Sequence, residues 1–418
     1  MHTRLAILLA LSTASAALAT QSATDTTVVR IGTLWDGNRV RTNVTLVVAG
    51  DYIIDVGGGE MAAPGGSREV DLRTYFVIPG MIDLHTHITY SWNGAPGTTP
   101  LKQGPRRTPG ETASAAEGNA RRTLEAGVTT ARDLGASGGA DYLVRDRVSS
   151  GAMIGPRLYV AGPGISAGRG EGPAPEAMRV EVENRVRAGS DWIKVYASRG
   201  SFQSVDTRQT LTFEQMKAIV DAAHALGRKV AIHSYGASGV KDAVRAGADS
   251  IEHGIELDDE TLREMVKRRT VWVPTIDHNR YYVDAKDEYG FPQDAIPPLQ
   301  AYIVKNLEAT RRAVKAGVRL GMGSDAVYTM FGQNTRELAW FARAGMKPEE
   351  ALRTATTIPA DLLGMAGKLG CAVKGCFADL VAIEGDPLKD VMRVIGDVRL
   401  VIKAGSVVVD KREPAAGR

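Results

Sequence analysis

The chain has 418 residues, of which 44% are hydrophobic and 24% are charged. This composition is typical of a globular protein and excludes collagen-like and disordered classes. The formal net charge is only +3, which gives no reason to expect a nucleic acid or an anionic membrane as a partner. The length suggests two or three domains, although one α/β barrel takes about 250 residues.

The first nineteen residues have the three-part pattern of a secretory signal peptide. Arg4 supplies the positive charge, residues 5–11 form the apolar stretch, and residues 17–19 (Ala-Leu-Ala) give a small-x-small cleavage site. No later segment stays apolar for about 18 residues, so we expect no membrane span. We therefore expect residues 1–19 to be removed and the mature protein to be exported, either to the periplasm or as a secreted protein.

Both ends of the mature chain have the pattern of β-strands. Residues 28–35 alternate, residues 36–38 (Asp-Gly-Asn) form a turn, and residues 44–48 are apolar. Residues 397–410 have the same pattern. We therefore expect residues 28–78 and 371–412 to form one small β-sandwich domain built from both chain ends.

Between residues 79 and 370, eight short apolar runs alternate with helical stretches. The runs cover residues 81–85, 128–132, 158–161, 192–196, 230–233, 250–253, 271–275 and 320–325. The helix over residues 212–226 is typical, with Thr212 as its N-cap and Gly227 as its stop. Eight strands in just under 300 residues predict an α/β fold, a (β/α)8 TIM barrel over residues 79–370; an open doubly wound sheet is the alternative.

The two cysteines, Cys371 and Cys376, lie five residues apart. Export permits a disulfide between them, and two half-buried free thiols are the alternative. Because no third cysteine is present, a thiolate metal cluster is disfavoured.

Six histidines remain after the signal peptide, and five of them lie at or just after the C-terminal end of a predicted strand, where the catalytic groups of a barrel converge. The six are His85, His87, His224, His233, His253 and His278. The exception, His224, lies within a predicted helix and is expected to be solvated.

His85 and His87 are two residues apart, so both imidazoles can face one metal ion from a single strand. A pair of core or surface histidines is the alternative, but the apolar strand before them favours the metal. His233 and His253 end the fifth and sixth strands. Neutral imidazoles suit zinc, iron, nickel or copper.

Three further residues are candidates for the chemistry. Asp325 ends the eighth strand, where it can ligate a metal and accept a proton from water, or cap a helix. Lys194 lies in an apolar strand, where burial lowers a lysine pKa; the neutral amine can add carbon dioxide to become an anionic ligand, or the lysine can be ion-paired or extend to solvent. His278 follows strand seven and is either a substrate or transition-state contact or part of a surface loop.

Residues 162–167 match the dinucleotide fingerprint G-x-G-x-x-A, but we reject this interpretation. Glycines and prolines over residues 168–175 disfavour the helix start that would bind a phosphate. We expect a mobile lid after strand three instead.

Five motifs, in this order, resemble those of the amidohydrolase superfamily. They are residues 79–87 (PGMIDLHTH), 231–236 (AIHSYG), 249–254 (DSIEHG), 323–325 (GSD) and 375–381 (GCFADLV). Lysine on strand four together with Ser-Ile-Glu-His-Gly on strand six is similar to the prolidase-like and ochratoxinase-like subset, near the imidazolonepropionase-like group. One departure is Gly375-Cys376, where the family more often has a proline before its glycine; this affects a turn and not the metal ligands.

The resemblance implies a centre of two divalent metal ions, with zinc the expected metal. One ion would be held by His85, His87 and Asp325, the other by His233 and His253, with carboxylated Lys194 as the bridging ligand. A hydroxide between the ions would attack the amide, and Asp325 would move the proton to the leaving amine. His278 is a second candidate catalytic residue.

The same resemblance implies a metallopeptidase-like substrate, a small amide that carries a carboxylate, such as a dipeptide, an N-acyl amino acid or an ochratoxin-like amide. Candidates for contact with the substrate are Tyr196, Arg199, Tyr235 and His278. A lactonase or a hydrolase of cyclic, imidazolone-type amides is the alternative. A non-enzymatic scaffold is disfavoured because all six ligand positions are present. We also expect a homo-oligomer.

Overall fold

The computed structural model describes residues 26–100, 107–168, 172–200, 205–290 and 293–412. The predicted signal peptide lies outside these ranges. Among the described helices, none combines the length and the apolar character that crossing a bilayer requires.

Strands from both ends of the chain form one seven-stranded sheet in the order β16-β15-β14-β4-β1-β2-β3. The strands are β1 (Thr26–Trp35), β2 (Val40–Ala49), β3 (Tyr52–Gly58), β4 (Arg68–Pro79), β14 (Leu380–Ile383), β15 (Val398–Lys403) and β16 (Ser406–Asp410). β1 and β4 are parallel, and the other neighbours are antiparallel. Apolar side chains from both chain ends, such as Leu46 and Leu400, enclose a separate core.

This sheet folds back on itself at the segment that precedes β14. Ile53 N donates to Cys376 O (3.0 Å), and Gly375 N donates to Ile53 O (2.8 Å). Cys371 and Cys376 form a disulfide across this segment. The two cysteines are therefore joined in a disulfide and are not free thiols.

Eight parallel strands form the barrel, one in each predicted apolar run. They are β5 (Met81–Thr86), β6 (Val128–Asp133), β7 (Arg157–Val160), β9 (Trp192–Tyr196), β10 (Lys229–His233), β11 (Ser250–Glu252), β12 (Val271–Val273) and β13 (Arg319–Leu320). Leu84 N donates to Met322 O (2.9 Å), which joins the first strand to the segment after the last, and Asp191 N donates to Val160 O (2.8 Å), which joins β7 to β9. The barrel is therefore closed. The predicted (β/α)8 barrel with a separate β domain is confirmed, and the open-sheet alternative is wrong.

The helices lie between and after the barrel strands. Their bounds are α1 (Pro109–Ala115), α2 (Glu117–Glu125), α3 (Ala140–Ser149), α4 (Pro175–Arg187), α5 (Phe213–Ala225), α6 (Ala237–Ala246), α7 (Asp259–Arg268), α8 (Ile276–Asp284), α9 (Lys286–Tyr289), α10 (Ile296–Ala316), α11 (Glu337–Arg343), α12 (Pro348–Thr354), α13 (Thr357–Leu362) and α14 (Arg393–Gly396). α5 begins as predicted, because the Thr212 hydroxyl accepts a hydrogen bond from Gln215 N.

The segment with the dinucleotide-like fingerprint does not begin a helix. Residues Ile165–Ser166 form the short strand β8, which pairs with the end of β9, and α4 starts only at Pro175. Residues 169–171 lie outside the described ranges, and the mobile lid stays a prediction.

Candidate active site

A cavity of about 290 Å³ lies at the C-terminal ends of the barrel strands, and we call it the inner cavity. All ten residues predicted for the site line it. They are His85, His87, Lys194, Tyr196, Arg199, His233, Tyr235, His253, His278 and Asp325. Sequence reasoning missed Tyr90, Tyr282 and Tyr328, which also line the inner cavity.

His85, His87 and Asp325 form a group whose ligand atoms lie within 4.8 Å of one another. The Nε2 atoms of His85 and His87 lie 3.4 Å and 3.1 Å from Asp325 Oδ1. Both histidines project to one side because they alternate at the end of β5. Asp325 directs its carboxylate to the histidines instead of capping a helix. This group can bind a metal ion.

His233 and His253 lie next to this group, with ring centroids 4.5 Å apart. The His253 ring is also 5.3 Å from the ring of His85. Lys194 lies beside both sets: its Nζ is 3.4 Å from His85 Nε2, and its strand β9 pairs with β10, which ends at His233. The arrangement brings both predicted ligand sets to one cavity.

Lys194 is buried, with 1% of its surface exposed, so it does not extend to solvent. Within the described ranges no carboxylate oxygen lies within salt-bridge distance of Nζ, so the ion-paired alternative is not observed either. Burial lowers the pKa of Lys194 to about 8. The lysine is thus a buried amine beside the histidines, and no carboxylate among the described residues forms an ion pair with it.

Each of the four histidines has one ring nitrogen hydrogen-bonded to a neighbouring oxygen. The pairs are His85 Nδ1 with Glu252 Oε2 (2.8 Å), His87 Nδ1 with Gly135 O (2.9 Å), His233 Nε2 with Gly200 O (2.8 Å) and His253 Nδ1 with Thr275 Oγ1 (2.7 Å). A proton on the bonded nitrogen leaves a lone pair on the other nitrogen. Burial also lowers the pKa of His85 to about 4 and that of His233 to about 3, so both rings are neutral at pH 7. Although burial opposes protonation, Asp325 raises the pKa of His87. The neutral, oriented imidazoles of His85 and His233 fit a metal site.

Residues 76–408 match the Amidohydrolase family. The chain belongs to this family. An ochratoxinase from Aspergillus niger is 28% identical over 85% of this chain and 80% of its own length. The crystal structure of a Xaa-Pro dipeptidase with bound methionine has a TM-score of 0.82 and 30% identity, covering 91% of this chain and 99% of that one. An imidazolonepropionase from Chloroflexus aggregans is 24% identical over 87% of this chain and 90% of its own length.

These similarities confirm the predicted superfamily and its prolidase-like and ochratoxinase-like subset. The protein is an amidohydrolase that acts on amide bonds.

The amidohydrolase carries a buried charge network behind His85 that sequence reasoning missed. Glu252 accepts hydrogen bonds from Arg132 Nη2 (2.8 Å) and Ser250 Oγ (2.6 Å) on the side away from His85. Although burial opposes ionisation, Arg132 and His85 lower the pKa of Glu252 to about 2. The ionised carboxylate fixes the ring of His85. Arg132 and Glu252 lie inside apolar strands, the same signal that drew attention to Lys194.

A strained turn supports His253. Thr275 has φ 50°, a left-handed conformation that β-branched residues avoid, at a cost of about 1–3 kcal/mol. The two following amides, Ile276 N and Asp277 N, donate to the Glu337 carboxylate (2.9 and 2.8 Å). These bonds hold the turn that directs the Thr275 hydroxyl toward His253.

His278 lies on α8 and is buried, so the surface-loop alternative is wrong. Its Nε2 is 3.2 Å from Asp325 Oδ2. Its Nδ1 is buried and has no hydrogen-bond partner among the described residues. His278 therefore holds the carboxylate oxygen that does not face His85 and His87.

The remaining candidates lie on the wall formed by the strand-four and strand-five loops. The Tyr235 ring is buried and stacks 4.9 Å from that of His253, and Tyr196 is half-buried, 5.5 Å from the ring of His233. Arg199 is exposed at the rim. By contrast, His224 lies outside the cavity on α5, where it is exposed as predicted and pairs with Asp249 (2.8 Å).

Proposed function

We propose that this amidohydrolase uses two divalent metal ions, most simply zinc, to cleave amide bonds in small substrates that carry a carboxylate. Dipeptides, N-acyl amino acids and ochratoxin-like amides belong to this class. The family assignment gives amide hydrolysis, and the proposal adds the metal ions and the substrate class. It depends on the roles of the residues around the inner cavity.

One observation carries the proposal: six side chains from five barrel strands, spread over residues 85–325 of the sequence, meet in one cavity. We assign one ion to His85, His87 and Asp325, and the other to His233 and His253. A carboxylated Lys194 would bridge the two sets. The position of this buried amine, with Nζ 3.4 Å from His85 Nε2 and on the strand next to that of His233, supports the bridging role. Four nitrogens and the carboxylates form a mixed donor set that suits zinc.

When bound, the metal ions would activate a water and polarise the scissile carbonyl. The residues of the chain then have separate tasks. Asp325 accepts the proton of the water on a carboxylate oxygen and passes it to the leaving amine. His278 Nε2, 3.2 Å from that carboxylate, keeps Asp325 oriented during the transfer. The buried walls limit the access of bulk water.

The wall with Tyr196, Tyr235 and Arg199 is assigned to the substrate carboxylate. Arg199 offers a charge-assisted hydrogen bond from the rim. Tyr196 and Tyr235 line the wall beneath it. Burial raises the pKa of both phenols above the ordinary value, so each remains a neutral donor.

A second candidate function is the hydrolysis of a cyclic amide or a lactone at the same site. The similarity to an imidazolonepropionase favours the cyclic amide. Both reactions need the same polarised carbonyl and the same proton transfer. Only an assay of each kind of substrate therefore distinguishes the two functions.

The test is a comparison of substrates with the zinc-loaded protein. We expect release of free amino acid from dipeptides and N-acyl amino acids, and slower opening of lactones and imidazolones. His253→Ala should abolish the release, whereas His224→Ala, a matched histidine outside the cavity, should preserve it. Failure to hydrolyse any dipeptide or N-acyl amino acid would contradict the proposed substrate class.

We also propose that the protein is exported and forms a homo-oligomer. The disulfide between Cys371 and Cys376 supports export, because such bonds persist in oxidising compartments. Fractionation of expressing cells and a mass measurement in solution test these two points.

A further inference from the structure

A fully buried carboxylate, that of Asp83, lies on β5 two residues before His85. Its two oxygens accept four hydrogen bonds. Asp83 Oδ1 accepts from His85 N (3.1 Å) and from Ser324 N (2.9 Å). Asp83 Oδ2 accepts from Ser324 Oγ (2.6 Å) and from Asn334 Nδ2 (3.0 Å). Within the described part of the chain, no lysine or arginine nitrogen lies within salt-bridge distance of this carboxylate, so neutral donors compensate for its burial.

These four bonds join the two chain segments that carry the ligands of one proposed ion. We call this ion, assigned to His85, His87 and Asp325, the first ion. His85 belongs to β5, whereas Ser324 follows β13 and directly precedes Asp325. The Asp83 carboxylate therefore binds the backbone of one ligand and the residue next to another, and it connects segments that lie far apart in the sequence.

Hydrogen bonds on both sides of Asp325 hold its backbone in an uncommon conformation. Its φ is 52°, in the left-handed region that residues other than glycine seldom adopt. Asp325 N donates to His85 O (2.6 Å), and Ala326 N donates to Ser324 Oγ (3.1 Å). Because the Ser324 hydroxyl itself donates to Asp83, the carboxylate fixes the oxygen that accepts from Ala326. The turn that directs the Asp325 side chain toward the histidines is therefore held through Asp83.

We infer that Asp83 is a positioning residue for the first ion, because it fixes the spacing of His85 and Asp325 before the metal binds. Asp83 is not among the residues that line the inner cavity, so it acts only through these neighbours. The inference rests on the proposed function and adds to it a residue that contacts neither the ion nor the substrate. Ligands that are held in place in advance bind a metal more tightly than ligands that the metal must order.

The test titrates metal-free protein with zinc in two backgrounds. His253→Ala weakens the second ligand set, so the titration reports the first ion, whereas His87→Ala weakens the first set, so the titration reports the other ion. Asp83→Asn keeps the size of the side chain but places an NH2 group against donors that need an acceptor. It should lower the zinc affinity about 10–100-fold in the His253→Ala background and leave it nearly unchanged in the His87→Ala background.

Exchanging the two side chains tests whether the hydrogen-bond match itself matters. In the double variant Asp83→Asn/Asn334→Asp, the new amide at position 83 can donate to the new carboxylate at position 334. That carboxylate can still accept from Gly332 N, as Asn334 Oδ1 does (3.1 Å). The double variant should regain most of the lost affinity for the first ion. Asn334→Asp alone sets two carboxylates against each other and should lower this affinity.

Asp36→Asn is the matched control, because Asp36 is a buried carboxylate in the β domain. It accepts hydrogen bonds from Asn38 N (3.0 Å), Arg39 N (2.9 Å) and Arg41 Nε (2.9 Å). This substitution should lower the thermal stability of the protein without changing the zinc affinity in either background.

An unchanged affinity for the first ion in a folded Asp83→Asn variant, or an equal loss for both ions, would overturn the inference. A thermal melt establishes that each variant is folded. If Asp83→Asn is not folded, Ser324→Ala removes one of the donors, and an undiminished affinity for the first ion in that variant would overturn the inference instead.

The zinc titration requires no hydrolysis, so it separates this inference from the proposed function. Selective loss of the first ion in Asp83→Asn, in a protein that cleaves no amide, would contradict the proposed function and leave the role of Asp83 intact. Amide hydrolysis together with an unchanged zinc affinity in Asp83→Asn would have the opposite meaning. A protein that binds no zinc at these residues would overturn both.

Discussion

The β domain and the C-terminal end of the barrel bury different kinds of side chain. The core of the β domain consists of apolar side chains such as Leu46, Leu72 and Leu400. The barrel end instead buries charged groups, among them Arg132, Lys194 and Glu252, each with at most 1% of its surface exposed. Burying a charge is costly unless a partner compensates. The barrel end therefore carries an energetic cost that the β domain does not. Substitutions in the β domain should change the free energy of unfolding, whereas substitutions at the barrel end should change metal binding and activity.

The largest effect is expected at Asp325. Asp325→Asn keeps the size and one oxygen ligand but removes the proton acceptor, so kcat should fall by about 10²–10⁴-fold. Steady-state kinetics on an N-acyl amino acid measures the change in kcat. A binding measurement that shows the variant still binds the substrate establishes that the site is intact. A rate close to that of the unmodified protein would exclude Asp325 as the base.

Lys194→Ala comes next, because it removes the proposed bridging ligand. We expect loss of bound metal and of activity, with partial rescue when a small carboxylic acid and metal are added together. Metal content and turnover are measured on the same samples. Full activity without added acid would exclude Lys194 from bridging.

The matched substitution in the β domain is Leu400→Ala. Leu400 is fully buried in an apolar core, so its truncation should lower the free energy of unfolding by about 2–5 kcal/mol. Metal content in the folded protein should not change. Denaturant unfolding measures the free energy of unfolding, and metal analysis measures the metal content. A loss of metal from the folded variant would show that the β domain and the metal site are not independent.

The smallest effect is expected at Thr275, which contacts a proposed ligand without being one. Thr275→Val keeps the branched shape but removes the hydroxyl that faces His253, and the affinity for the ion held by His253 should fall by about 10–100-fold. Thr275→Ser keeps the hydroxyl and should bind metal nearly as well. Metal titration tests this, and equal affinities in the valine and serine variants would assign Thr275 only a structural role.

Much of the fold could be predicted from the sequence, because each barrel strand is a short apolar run between helical stretches. The positions of His85 and His87 followed from two-residue alternation in a strand. The shared cavity could be predicted because parallel strands present their C-terminal ends at one side of the barrel.

The supporting residues could not be predicted in the same way. Glu252 and Thr275 act through hydrogen bonds to histidines on other strands, and no local pattern reports such contacts. The left-handed backbone of Thr275 depends on Glu337, which lies 62 positions further along the chain. The loops that follow the barrel strands carry no periodicity from which their shape could be predicted.

Elemental analysis of the purified protein, before and after treatment with a chelator, tests the central claim most directly. We predict two divalent ions per chain, loss of amide hydrolysis when they are removed, and recovery of hydrolysis when zinc is restored. A protein that holds fewer than one ion per chain when fully active, or that retains full turnover after the metal is stripped, would contradict the account.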